Sequence, residues 1–361
     1  MEKYKKYQNN GITGLNNIGN TCFINSCFQI LSHTYELNEI LNGVEKRHTN
    51  KNINNTIDAM LLTEWNDLRK MMWNENCTIT PTRFVEIIRF IAEKKNLEFS
   101  VKNSQHDISE FFVFVIGCFH NALKKNVGIT INGTPETDID KVVYECYKLL
   151  KTIYEKEYSE IWNLFYGISV SLICDNETGK LISSVPEEHS ILSLSIPTTQ
   201  TPTTLYDCLD LYFQEETIEN YVNTTENKNQ TIKRKSYMWK LPPVLVIELK
   251  RYDNMSFFIT KNKKMVEFPL TGLDLTKYVL KYHEGYGEDQ LEEQIYDLYG
   301  VFYHYSLGKG TSFGHYIACV KNSNSNWYSF DDCNVSIVKN KNQLINNDAY
   351  CFFYRKRNLR K

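Results

Sequence analysis

Apolar positions recur at helical spacing through the first half of the chain and at strand spacing through the second. In "AMLLTEWNDLRKMMW" the residues Leu61, Leu62, Trp65 and Leu68 form one stripe, with Met72 a turn further on. "TPTRFVEIIRFIAEKK" opens on Thr80 as a cap residue and Pro81 at the expected first helical position. "SQHDISEFFVFVIGCFHNALKK" lacks the turn punctuation of a hairpin and predicts a helix, and "DIDKVVYECYKLLKTIYEKEYSEIWNLF" predicts a further long amphipathic stretch. From about Tyr166 short strands and turns take over. "GISVSLICDNETGKLISS" reads as a hairpin around Asn-Glu-Thr-Gly, and "ENYVNTTENKNQTIKRK" as a loop or hairpin tip. "PPVLVIELKRY" is apolar without alternation, as a strand buried on both faces is. "YDLYGVFYHYS", "GHYIACV", "WYSFDDCNVS" and "AYCFFYRKR" read as closing strands. Helices followed by strands predict an α+β fold with a cleft between two lobes.

Composition excludes several classes. The 361 residues are 42% hydrophobic and 23% charged, enough for a sizeable core. A net charge of −2 offers no general basic character for nucleic acid. No apolar run approaches the roughly 18–20 residues that span a bilayer, and "MEKYKKYQNN" lacks a signal-peptide core. The expectation is an intracellular protein, cytoplasmic or nuclear, with neither nucleic acid nor membrane as partner. The 10 cysteines are scattered and form no CxxC pair, as reduced, buried thiols would be. No Pro-rich linker divides the chain, so the halves are expected to be lobes of one domain.

One cysteine stands out. In "GITGLNNIGNTCFINSCFQILSH", turn residues give way at Cys22 to a helical face of Ile24, Cys27, Phe28 and Leu31. Gly19 supplies a permissive backbone, and Asn20 and Thr21 are capping types. Cys22 is thereby placed in a first helical turn, where unpaired N–H groups and the helix dipole favour an anion. A nucleophile needs a base and an orienting group. "YIACV" and "NWYSF" flank the turn-rich "KNSNSN" and predict a hairpin. Pairing Val320 with Trp327 sets His315 across from Asp332; slipping one residue sets it across from Asp331. Either register gives a Cys–His–Asp site.

These segments together resemble the ubiquitin-specific protease family, papain-like cysteine proteases that remove ubiquitin. The resemblance runs from about Gly14 to Tyr354 and rests on separated motifs in order. "GLNNIGNTCFINSCFQIL" resembles the cysteine box, "QHDISEFF" the Gln-x-Asp-x-x-Glu-Phe motif, and "LPPVLVIELKRY" the strand ending Leu-Lys-Arg-Phe. "GHYIACV" and "WYSFDD" resemble the histidine box. The resemblance implies a papain-like fold with a helical thumb, a β palm and a β finger extension. Residues 11–356 would form one catalytic domain: a thumb over about 11–165, fingers and part of the palm over about 166–245, and the palm over about 246–356. Residues 1–10 and 357–361 would be tails.

It implies roles as well. Cys22 would be the nucleophile, His315 the general base and acid, Asp331 the residue that orients the imidazole, and Asp332 a supporting acid. Asn17, with a backbone N–H at Cys22, would line an oxyanion hole. The ubiquitin tail, Leu-Arg-Leu-Arg-Gly-Gly, would be received by Gln105, Asp107 and Glu110, with Gly314 and Tyr316 beside the diglycine. Leu307–Gly314 and Tyr252–Pro269 would be loops over that channel. The expected partners are ubiquitin and ubiquitinated proteins. No cofactor is expected: many relatives hold zinc in the fingers through two CxxC pairs, whereas here that region offers only Cys174.

Overall fold

The helical stripes of the first half become a bundle of helices in the computed structural model, which describes residues 2–46, 56–101, 104, 106–198, 202–223, 228–253, 260–282, 293–306 and 314–357. The helices are α1 (Cys22–Ser32), α2 (Tyr35–Lys46), α3 (Ile57–Asn74), α4 (Thr82–Lys94), α5 (Ile108–Leu123), α6 (Asp138–Glu157), α7 (Glu160–Phe165) and α8 (Leu205–Tyr212). On α3 the predicted stripe is the buried one, with Leu61, Leu62, Trp65, Leu68 and Met72 each at most 2% exposed. Truncating one such leucine to alanine costs about 2–5 kcal/mol. α1 is buried along its whole length. Its Phe28 ring packs edge-on against Phe84 at 4.5 Å and tilts against Trp65 at 4.8 Å, tying α1 to α3 and α4.

Three local expectations shift. α4 starts one residue later than expected, with Pro81 as its cap residue, and the Thr80 hydroxyl instead accepts the Asn16 amide at 2.7 Å. The stretch from Asp138 to Phe165 is two helices, because Ser159 adopts an extended backbone and caps α7 by accepting the Trp162 N–H at 3.0 Å. Residues 2–10, expected as a tail, are anchored through Tyr7, which is 7% exposed and stacks on Tyr35 at 4.7 Å.

The second half supplies two sheets. Their main strands are β1 (Gly167–Asp175), β2 (Leu181–His189), β3 (Leu192–Leu194), β4 (Glu216–Asn223), β5 (Lys228–Lys240), β6 (Val244–Leu249), β7 (Ile295–Ser306), β8 (Gly314–Lys321), β9 (Trp327–Asp331), β10 (Asn334–Ile337) and β11 (Ala349–Lys356). The larger sheet runs β10-β9-β8-β7-β11-β6-β3, with the short strand Leu273–Asp274 also on β7. Both faces of β6 are covered. Val244 and Val246 join the core shared with α1 and α5, while Leu245, Ile247 and Leu249 join a second core under α8. That double burial explains its run of apolar residues. The smaller sheet, β2-β1-β5-β4, packs against α6 in the region expected to form the fingers. Its β1–β2 hairpin closes through Asp175, whose carboxylate accepts the Glu177 and Thr178 N–H groups at 3.2 and 2.7 Å. "ENYVNTTENKNQTIKRK" lies largely in β4 and β5. No helix among the described residues is long and apolar enough to cross a membrane.

Candidate active site

The chain before Cys22 is stitched to the end of the larger sheet. The two-residue strand Gly14–Leu15 pairs in parallel with Thr78–Ile79, and Leu15 N–H donates to the Asp332 carbonyl at 3.0 Å. Only glycine fits at position 14, since a Cβ there would overlap the Cys333 carbonyl. The chain then turns through left-handed Gly19 (φ +105°) and Asn20 (φ +51°) into α1, whose first residue is Cys22. Thr21 occupies the cap position but makes no side-chain cap bond. Its hydroxyl accepts the Ile18 N–H at 3.0 Å and donates to Asn17 Oδ1 at 3.3 Å. The Thr21 hydroxyl therefore leaves the N–H groups of the first turn to other acceptors.

Asn17 is exposed but not loose. Its Oδ1 also accepts the Gly19 and Thr21 N–H groups at 3.2 and 3.1 Å. With the carbonyl so engaged, Nδ2 points across the site and donates to Asp332 Oδ2 at 2.9 Å. Asp332 Oδ1 accepts Asn25 Nδ2 from α1 at 2.7 Å.

His315 stands on β8, about a third exposed, with Nε2 2.6 Å from Asp331 Oδ1. Neither register expected from the sequence is the observed one. Lys321 pairs with Trp327 and Ala318 with Phe330, where the ladder ends. Extended further, that register would set His315 against Cys333, so Asp331 reaches the imidazole diagonally from the end of β9. Asp331 pairs with Asn334 across a two-residue turn, Asp332–Cys333, and Asp332 sits in the left-handed region at φ +52°. This reversal sends two consecutive carboxylates to different partners.

The buried Cys22 thiol lies beside the His315 imidazole, close enough to raise its pKa. With Nε2 committed to Asp331, Nδ1 is the ring atom left to face the sulfur. The environment raises the His315 pKa from the ordinary 6.5 to about 9. The interaction with Cys22 contributes most; partial burial opposes it, and the bond to Asp331 and the charges on both partners add to it. The imidazole thus keeps its proton beside the sulfur through neutral pH.

The expected tail-binding residues are less uniform. Gln105 lies outside the described residues, as do 307–313 of one predicted channel loop and 254–259 of the other. Asp107 caps α5, its Oδ1 accepting the Ser109 and Glu110 N–H groups at 2.8 and 3.1 Å, and its Oδ2 is 2.6 Å from the Tyr350 hydroxyl. Its carboxylate therefore has structural work, which the pairing of Asp107 and Glu110 on one helix face did not anticipate. Glu110 is exposed; partial burial raises its pKa, with the charges of Asp107, Glu98 and Glu248 adding to this. Gly314 opens β8, and a Cβ there would overlap His304. Tyr316 is 5% exposed and stacks on His304 at 4.4 Å. Its ring is buried under the site, so only its backbone can border a channel.

Sequence reasoning missed Glu248, 2.7 Å from the Tyr350 hydroxyl, and Asn25. The signal for Asn25 was present: a polar residue three positions after Cys22 on a helix whose other side is apolar.

His315, Asp331 and Asp332 bring ligand-type atoms within 4.8 Å of one another. Each is already engaged in the bonds above. Among the described residues no other group of three such side chains converges.

The ubiquitin carboxyl-terminal hydrolase family profile matches residues 13–354. The chain is 32% identical over 355 residues to ubiquitin carboxyl-terminal hydrolase Usp2 of Drosophila melanogaster, covering 95% of this chain and 35% of that protein. It is 29% identical over 355 residues to ubiquitin carboxyl-terminal hydrolase 2 of Homo sapiens, covering 95% and 55%. A probable ubiquitin carboxyl-terminal hydrolase of Acanthamoeba polyphaga mimivirus is 27% identical over 446 residues, covering 95% and 90%. The chain thus spans about a third of the fly protein and about half of the human one. Among solved structures, the SAGA Ubp8/Sgf11/Sus1/Sgf73 DUB module bound to ubiquitin aldehyde aligns with a TM-score of 0.73 at 24% identity, over 98% of this chain and 71% of that one. The same module bound to monoubiquitin aligns with a TM-score of 0.73 at 23% identity, over 98% and 71%. The fold is the papain-like α+β fold of these neighbours.

Proposed function

The chain belongs to the ubiquitin carboxyl-terminal hydrolase family, and on that premise we propose that it is a thiol protease that cleaves the isopeptide or peptide bond after the C-terminal glycine of ubiquitin. The observation that carries this reading is the juxtaposition of Cys22, His315 and Asp331, the last two hydrogen-bonded at 2.6 Å, with the Asn17 amide bonded to Asp332.

The chemistry follows from the geometry. The Cys22 sulfur, beside the imidazole, is the nucleophile. The Cys22 thiolate attacks the carbonyl carbon of the terminal glycine, and the oxygen gains negative charge. Asn17 Nδ2 keeps one N–H for that oxygen after donating the other to Asp332. The uncapped first turn of α1 offers a backbone N–H at Cys22 as the second donor. One such donor is worth about 3–4 kcal/mol at the transition state. His315 then gives its proton to the departing lysine amine, leaving a thioester. Next it takes a proton from water, which attacks the thioester and releases the ubiquitin carboxylate. Asp331 holds the ring so that its other nitrogen faces the sulfur.

Glu110, exposed near the N-terminus of α5, supports recognition of the tail arginines, with Asp107 fixing the helix end beside it. The test is turnover of a fluorogenic C-terminal ubiquitin amide. Turnover by the wild type, lost in Cys22→Ala, supports the reading. Absence of turnover in a folded wild type contradicts it.

A further inference from the structure

Asn25 lies three residues after Cys22 on α1 and is 2% exposed. Its Nδ2 is 2.7 Å from Asp332 Oδ1, 3.1 Å from the Leu15 carbonyl and 3.4 Å from the Asn16 carbonyl. All three neighbours are acceptors, so only the NH2 end of an amide fits there. The other end, Oδ1, is buried without a hydrogen-bond partner. A helix interior gains nothing from such a group. Its presence makes sense if the donor end is what the site requires. Asp332 Oδ2 in turn receives Asn17 Nδ2, and the Asp332 backbone is held in the left-handed region.

We infer that Asn25 is a positioning residue: the series Asn25–Asp332–Asn17 aims the Asn17 amide at the oxyanion. The inference rests on the oxyanion role proposed for Asn17. It assigns the aim to a residue on the nucleophile's own helix, so that thiol and oxyanion donor share one rigid frame. Without the Asn25 donor, Asp332 Oδ1 loses its anchor, the carboxylate is free to rotate, and the Asn17 amide loses its direction. The thiol and imidazole do not depend on this series.

The experiment uses the full chain with a fluorogenic C-terminal ubiquitin amide and, separately, iodoacetamide. Asn25→Ala is expected to lower kcat about 10–100-fold with little change in KM, while Cys22 keeps its alkylation rate. Combined with Asn17→Ala, it is expected to add little to the loss caused by Asn17→Ala alone. Full additivity, or an unchanged kcat in Asn25→Ala, overturns the positioning role. A kcat unaffected by Asn17→Ala overturns the oxyanion reading itself, which separates the two failures.

If Asn25→Ala fails to fold, Asn25→Leu, which keeps the branching of the side chain and removes the donor, is expected to lower kcat about 10–100-fold while Cys22 keeps its alkylation rate. A kcat equal to that of the wild type overturns the inference.

Discussion

Asp331 and Asp332 are neighbours in the chain, yet one carboxylate bonds His315 at 2.6 Å and the other bonds Asn17 at 2.9 Å. The tight turn between β9 and β10 parts them. In the proposed mechanism they serve different halves of the reaction, the proton and the oxyanion. Asp331→Asn should lower kcat by up to about 10⁴-fold, because the imidazole loses its orienting charge. Asp332→Asn should lower kcat by about 10²–10³-fold, the size of one lost oxyanion donor. Steady-state kinetics on both variants check this; a far larger loss in Asp332→Asn would reverse the roles.

The pKa of His315, raised to about 9, sets the alkaline side of the pH profile. A raised folded-state value stabilises the protonated pair fully below about 6.5, and that contribution is lost as pH rises through about 9. Alkylation of Cys22 assisted by the imidazolium should therefore persist through neutrality and change near pH 9. In Asp331→Asn the same limb should move toward acid, since a bond and a charge that raise the value are gone. Asp332→Asn should leave the limb in place. Iodoacetamide rates against pH distinguish the three proteins.

Asp107 and Glu110 should respond differently to substitution. Glu110→Lys should raise KM for ubiquitin substrates and leave the thermal midpoint near that of the wild type. Asp107→Ala removes the cap of α5 and should cost about 1 kcal/mol of stability on that account. Equal loss of stability in both variants would assign Glu110 to the fold rather than to the tail.

Much of this architecture was legible in the chain. The α3 stripe follows from a period of 3.6, the doubly buried strand β6 from an unbroken apolar run, and the Cys22 helix start from turn residues that give way to a helical face. The hairpin register was not legible. Either expected pairing put a carboxylate beside His315, but the turn after Asp331 places it diagonally, and left-handed backbone at an aspartate has no signature in sequence. The cap at Thr21 failed for a related reason: its hydroxyl found Ile18 and Asn17 instead. Asp107 was expected only to receive the tail; its bond to Tyr350 was not legible because that partner lies 243 positions away.

The finger sheet should work without metal. Its hairpin is closed by the Asp175 turn, Arg234 bonds Glu216 across β4 and β5 at 2.7 Å, and Ser171 meets Ser236 at 2.9 Å. Elemental analysis of purified protein, with turnover measured after exhaustive chelation, checks this. Stoichiometric zinc whose removal abolishes turnover would contradict it.

The central claim is that Cys22 is the nucleophile toward the C-terminus of ubiquitin. It is tested most directly by ubiquitin carrying an electrophile in place of its terminal carboxylate, followed by mass spectrometry of the adduct. The account predicts one adduct per chain, on Cys22, abolished in Cys22→Ala and strongly slowed in His315→Ala. Labelling that survives Cys22→Ala, or that falls on Cys27, Cys77 or Cys333, would contradict it.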